Sequence, residues 1–169
     1  MLNEKIKGRF VTNRHMFDCA ITSHGQRLQE ILNSHLTTYL QILNVSVFRF
    51  SDYTTPVATF RSATVLKSTI NMAMIPTELN EAPEKRMFSY VSKNYYRAFI
   101  TVAGFDIQGT MHFMSAPDAT AFLVRDVNSY FPVTDAQLND GYQETEAMRA
   151  SVILVRKSAV SFLHLGELE

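Results

Sequence analysis

The sequence predicts a mainly β chain with one helix per unit, an α+β plan in which two tandem, strongly bent five-stranded units succeed each other along 169 residues. Three observations carry this expectation. Runs rich in aromatic and β-branched residues, bounded by turn residues, fill both halves. One short segment in each half has apolar residues at helical spacing instead. The two halves also match one another in order, as an internal repeat does.

The matches are specific. Phe17-Asp18-Cys19-Ala20-Ile21-Thr22-Ser23-His24 aligns with Phe105-Asp106-Ile107-Gln108-Gly109-Thr110-Met111-His112, keeping Phe, Asp, Thr and His in step (17 to 105, a spacing of 88). Tyr39-Leu40-Gln41-Ile42 aligns with Tyr130-Phe131-Pro132-Val133 (39 to 130, a spacing of 91), and Lys67-Ser68-Thr69-Ile70 with Lys157-Ser158-Ala159-Val160 (67 to 157, a spacing of 90). Between the halves, Pro76 to Arg86 is polar, carries a proline near each end and lacks periodicity, as a linker does. The expected boundaries are 1–75 for the first unit with a short N-terminal arm, 76–94 for the linker, and 95–169 for the second unit with a short C-terminal tail.

In the second unit, Tyr95 to Val102 and Phe105 to Met114 read as strands separated at Ala103-Gly104, a hairpin turn. Ser115-Ala116-Pro117-Asp118 supplies a capping hydroxyl, a proline and an acid, and Ala119, Phe122, Leu123 and Val127 follow at helical spacing. The helix of the first unit is marked by the stripe Leu28, Ile31, Leu32, Leu36, Tyr39 and Leu40, with Gln29, Glu30 and Asn33 facing away. Strands resume over Tyr39 to Phe50 and Ala58 to Ile75, and over Phe131 to Leu138 and Ala147 to Leu165. Polar breaks at Lys67-Ser68-Thr69 and Arg156-Lys157-Ser158 split each last run in two. The order in each unit is strand, strand, helix, strand, strand, strand.

The hairpin from Ile100 to Thr110 resembles the opening hairpin of the Sm-like fold, in which a glycine in the second strand permits the curvature that bends the sheet. Gly109 stands at that place, and Ile21 at the matching place in the first unit. The segment His24-Gly25-Gln26-Arg27-Leu28-Gln29-Glu30-Ile31-Leu32-Asn33 is similar to one in short bacterial proteins: a strand ending in His, then Gly, Arg-Leu, an acid and Leu-Asn. The resemblance implies two Sm-like barrels or half-barrels, rings or stacked assemblies through edge strands, and in some members RNA binding. The Asp-then-Asn loop and the Arg-Gly-Asp-type loop that hold uridine in the RNA-binding members have no counterpart. Lys157-Ser158 lies where the second of those loops would be.

Sixteen basic and sixteen acidic residues give zero formal charge. No net field draws the chain to phosphate backbones or anionic membranes, and nucleic acid is a disfavoured partner. A single cysteine, Cys19, excludes an intrachain disulfide; the N-terminus lacks an apolar signal stretch, and no apolar run is long enough to span a bilayer. The expected location is the cytoplasm.

Two constellations invite chemistry. Asp18 with His24, and Asp106 with His112, repeat an Asp-x5-His spacing that puts both side chains of a pair on one face of a strand, where they could serve as metal ligands or as an acid-base pair. The same residues at strand ends bond equally well to backbone or solvent. Tyr90, Tyr95, Tyr96 and Phe99 lie near Arg86, Lys93 and Arg97, and with Lys157 these offer aromatic and basic groups for single-stranded nucleic acid; a strand wedged into a core or an interface needs the same residues. His15, His35 and His164 follow no ligand spacing. Cys19 reads as a small buried hydrophobe, and Met72, Met74, Met111 and Met114 as adaptable core filler. Nucleophile elbows and phosphate-cradling glycine loops are missing from the sequence.

The leading expectation is a non-enzymatic assembly or adaptor module, needing no cofactor, that associates with itself or another protein through strand edges. The alternatives are a nucleic-acid or nucleotide-binding regulator, and a metal-dependent activity at the Asp-His pairs.

Overall fold

The computed structural model describes residues 4–76, 94–125, 128–141 and 146–167. Ten strands and two short helices occupy them: β1 (Lys5–Val11), β2 (His15–Thr22), α1 (Leu28–Asn33), β3 (Tyr39–Arg49), β4 (Ala58–Leu66), β5 (Met72–Pro76), β6 (Asn94–Val102), β7 (Phe105–Phe113), α2 (Ala119–Arg125), β8 (Tyr130–Asp140), β9 (Met148–Arg156) and β10 (Val160–Glu167). Single 3-10 turns at Lys67–Thr69 and Lys157–Ala159 join β4 to β5 and β9 to β10, where the polar breaks in the sequence predict connections.

All ten strands form one antiparallel sheet in the order β10-β6-β7-β8-β9-β5-β1-β2-β3-β4. Of the expected barrels or half-barrels, no closed barrel forms: the sheet stays open, with β10 and β4 as its edges. The reason lies at the middle, where β5 pairs with β9 of the other half and not with β4 of its own. Of the linker expected over 76–94, Pro76 ends β5, Asn94 begins β6, and residues 77–93 lie outside the described residues.

The strand pairings of the first half recur in the second, with residue numbers raised by 90 on β1, β2, β4 and β5 and by 91 on β3. Phe10 faces Phe17 as Ile100 faces Ile107, and Ala73 faces Phe10 as Leu163 faces Ile100. Both halves break register at the corresponding place, between Asp18 and Ala20 and between Gln108 and Thr110. The extra residue there takes positive φ, 50° at Asn44 and 47° at Asp135. Asn and Asp tolerate this left-handed conformation because their short side chains bond locally. Gly109 lies opposite the second bulge, where a Cβ would stand 2.6 Å from Val133 Cγ1 and 2.9 Å from the Thr134 carbonyl oxygen. Its counterpart by pairing is Cys19, not Ile21. The spacing of 88 that aligns Asp18 with Asp106 is thus two residues out of step with the pairings, which set Asp18 against Gln108.

The first helix is shorter than its sequence pattern suggests. The chain turns extended at Ser34, so Leu36 lies beyond α1 and is exposed, while Tyr39 and Leu40 belong to β3. The helical stripe is real only for Leu28, Ile31 and Leu32, which are buried. In α2 the cap is Asp118, not Ser115: its carboxylate accepts from the Ala121 N–H (3.0 Å) and its carbonyl from Phe122 (2.8 Å). Val127 lies outside the described residues.

Two apolar cores form, and each draws on both halves. The larger sets Val11, Met16, Phe48, Met72 and Met74 beside Ile100, Phe105, Ile107, Leu138 and Ile153. The smaller sets Phe10, Ile42, Ile70 and the α1 residues beside Tyr130 and Leu154. Sandwiched between them, β9 is apolar on both faces, which explains its near-continuous run Ala150 to Val155. Removing this surface from water is the main stabilising contribution, on the order of 25 cal/mol per Å². Met72, Met74 and Met111 fill core positions as predicted, whereas Met114 is exposed.

Candidate functional site

Among the described residues, the candidate features are the junction at the centre of the sheet and the two edges that resemble it. At the junction, Met72 faces Val155, Ala73 faces Leu154, Met74 faces Ile153 and Ile75 faces Val152. The Arg156 N–H donates to the Asn71 carbonyl (2.9 Å), and the Arg156 guanidinium donates to Asn71 Oδ1 (2.6 Å) and to the Ile70 carbonyl (3.2 Å). Tyr130, at the start of β8, enters the first half: its hydroxyl bonds the carbonyls of Lys67 (2.5 Å) and Ile70 (2.9 Å). Asn33 clamps its backbone, with Nδ2 donating to the Tyr130 carbonyl (3.1 Å) and Oδ1 accepting from the Tyr130 N–H (2.8 Å). Burial pushes the Tyr130 phenol up to about 12.

Where β4 and β10 stand at the edges, their outer sides have no strand partner among the described residues. Edge strands are normally shortened, charged or broken by proline to stop association. Here β4 runs nine residues with one charge, Arg61, and no proline; β10 runs eight with one charge, Glu167 at its end, and no proline. Both strands show a large exposed apolar ring, Phe60 on β4 and Phe162 on β10.

The sequence-predicted residues are scattered by comparison. Asp18 is taken by Arg9 in a two-point ion pair (2.5 and 2.8 Å), which holds the Arg9 guanidinium above its ordinary pKa. His24 is not on a strand with it but in the exposed turn after β2, at φ 47°. Asp106 is half-buried on β7, and His112, six residues on, bonds Thr134 Oγ1 (2.7 Å) beneath the ring of Tyr95 (4.8 Å between centroids). Among the described residues, no three of His, Cys, Asp and Glu gather as a metal site.

Of the basic and aromatic set, Arg86 and Lys93 lie outside the described residues. Tyr95 and Arg97 share one face of β6 and are exposed; Tyr96 points to the other face, edge-on to Phe113 at 5.8 Å. Lys157 is engaged: its ammonium donates to the Phe122 carbonyl at the end of α2 (3.0 Å) and sits 4.3 Å from the centre of the Phe122 ring. Lys67 does the same for α1, donating to the carbonyls of Ile31 (2.8 Å) and Ser34 (3.1 Å). The repeated lysine of the sequence is thus a helix C-terminal clamp in both halves.

A cleft of about 800 Å³ opens beside the junction, lined by Lys7, Arg9, Asp18, Asn44, Met148 and Arg149, with Cys19 at its floor. Burial, aided by the Asp18 charge, pushes the Cys19 thiol up to about 12, so it is no thiolate nucleophile near neutral pH. Sequence reasoning missed Asn33 and Tyr130 as partners because their contact joins residues far apart in the chain; the Tyr39–Tyr130 match was the one visible signal. No helix among the described residues is long and apolar enough to cross a membrane. Compared with protein-family models, curated proteins and solved structures, the chain has no match.

Proposed function

We propose that this protein is a non-enzymatic assembly or adaptor module, built from two copies of an Sm-like unit and acting through protein–protein contacts at its strand edges. The observation that carries this reading is the pair of long, open edges, β4 and β10, each with an exposed phenylalanine and almost none of the charges or prolines that guard such edges. The recurrence of the pairings at a spacing of 90, or of 91 on β3, supports the reading of two copies. Small units that share cores across a junction gain stability from further covering, which favours self-association.

Light scattering during size exclusion, over a range of loading concentrations, tests the proposal. The expected mass is a multiple of the 19.2 kDa chain that grows or persists with concentration. A monomer at all concentrations, with no partner recovered on the same edges, overturns it. The ratio of absorbance at 260 and 280 nm across the peak tests the nucleic-acid alternative in the same run.

A further inference from the structure

We infer that two copies of this chain join head to tail, β4 of one against β10 of the next, in the register of the internal β5·β9 junction, with Tyr39 entering the neighbour as Tyr130 enters the first half. The inference rests on the assembly reading and specifies its partner, a second copy.

Correspondence by pairing carries the argument. Residues buried at the internal junction have counterparts exposed at the free edges. Tyr130 is 2% exposed and its counterpart Tyr39 60%; Met72 is 0% exposed and Phe162 54%; Ala150 is 2% exposed and Phe60 54%. On α2, Val124 holds the place that Asn33 holds on α1, counted from the carbonyls of Phe122 and Ile31 that the two lysines clamp, and it is 76% exposed. Four of the eight large exposed hydrophobic residues among the described residues thus occupy the two halves of one unmade junction, Tyr39 and Phe60 on the β4 side, Val124 and Phe162 on the β10 side. Single exposed apolar residues are ordinary; a complementary set is the mark of an interface.

The backbone agrees. At the junction the Arg156 N–H faces β5, while the next residue, Lys157, donates back to Ser129. Lys67 donates in the same way to Thr38, so the N–H groups of Leu66, Thr64 and Ser62 face the open edge. Carrying the junction register over sets Phe162 against Val65, Leu163 against Thr64, His164 against Ala63 and Leu165 against Ser62. The Tyr39 hydroxyl then meets the carbonyls of Lys157 and Val160 in the next copy. Because the two surfaces differ, each copy keeps one free edge of each kind, and the contact repeats until a ring closes or a filament grows.

Disulfide trapping tests register and polarity together. In a Cys19→Ala background, the Ala63→Cys and His164→Cys chains are mixed and oxidised, with Thr59→Cys in place of Ala63→Cys as the out-of-register control. Facing antiparallel residues lie within disulfide reach, and the expected product is the mixed dimer of the Ala63→Cys and His164→Cys chains, with little from the control. Tyr39→Ser, a change at a side chain exposed in the single chain, is expected to weaken association by about tenfold or more while leaving the circular dichroism spectrum unchanged. Homodimeric disulfides, equal yield from the control, or association indifferent to Tyr39→Ser overturn this inference but leave the assembly reading standing. A monomeric mass with no cross-link overturns both.

Discussion

The side-chain amide of Asn33 and the backbone of Tyr130 exchange two hydrogen bonds, one in each direction, as facing residues in a sheet do. A helix residue of the first half thereby holds the entry of a second-half strand. Asn33→Ala removes both bonds and leaves two buried backbone groups of Tyr130 unpaired, so the expected loss is about 2 kcal/mol. Urea unfolding of the parent and the variant measures it; a change under about 0.5 kcal/mol contradicts the clamp.

Lys67 and Lys157 make the same bond in the two halves, but Lys67 is nearly fully buried whereas Lys157 is half-buried. Lys67→Ala is expected to cost about 2 kcal/mol and Lys157→Ala about half that. Thermal melts that rank them in the opposite order contradict this account.

At Gly109 the close approach of Val133 and Thr134 excludes a Cβ. Gly109→Ala is expected to destabilise by about 2 kcal/mol or more, since the clash is with a branched side chain and backbone and not with a flexible tip. Gly25 has open space around it, so Gly25→Ala incurs only the strain of its φ of 80°, about 1 kcal/mol.

Alkaline pH unfolds the chain by a traceable route. The folded-state pKa of Cys19 is raised from 9.0 to about 12 and that of Tyr130 from 10.0 to about 12. In both cases the folded state holds a proton that the unfolded state releases, so stability is fully present below pH 9 and is lost as pH climbs from 9 towards 12. The expected loss is on the order of several kcal/mol by pH 11. Cys19→Ala flattens the part that begins at pH 9, and Tyr130→Phe the part that begins at pH 10; urea midpoints at stepped pH show both.

The strands were legible because aromatic and β-branched runs and the Ala103-Gly104 turn are local signals, and the order of elements in each half follows from them. The limits of α1 were not, because Leu36, Tyr39 and Leu40 continue its periodicity by coincidence while the Lys67 clamp, set by a distant turn, ends it. Nor was the open sheet: whether β5 pairs with β4 or with β9 depends on contacts between halves that no local pattern encodes. The Asp18 and Asp106 match illustrates the same limit, since a spacing of 88 preserves the sheet face and so looks sound until the pairings show 90. The contact of Lys157 with Phe122 was not legible for the same reason, since the two residues lie 35 apart in the chain.

Sedimentation velocity of the parent chain and of Thr64→Pro, each over a hundredfold range of concentration, tests the central claim most directly. Proline at position 64 deletes an N–H that faces the open side of β4 and leaves the bonds to β3 in place. The parent is expected to sediment as an assembly of 19.2 kDa chains and the variant as a monomer with an unchanged circular dichroism spectrum. A parent that stays monomeric, or a variant that assembles as the parent does, contradicts association through this edge.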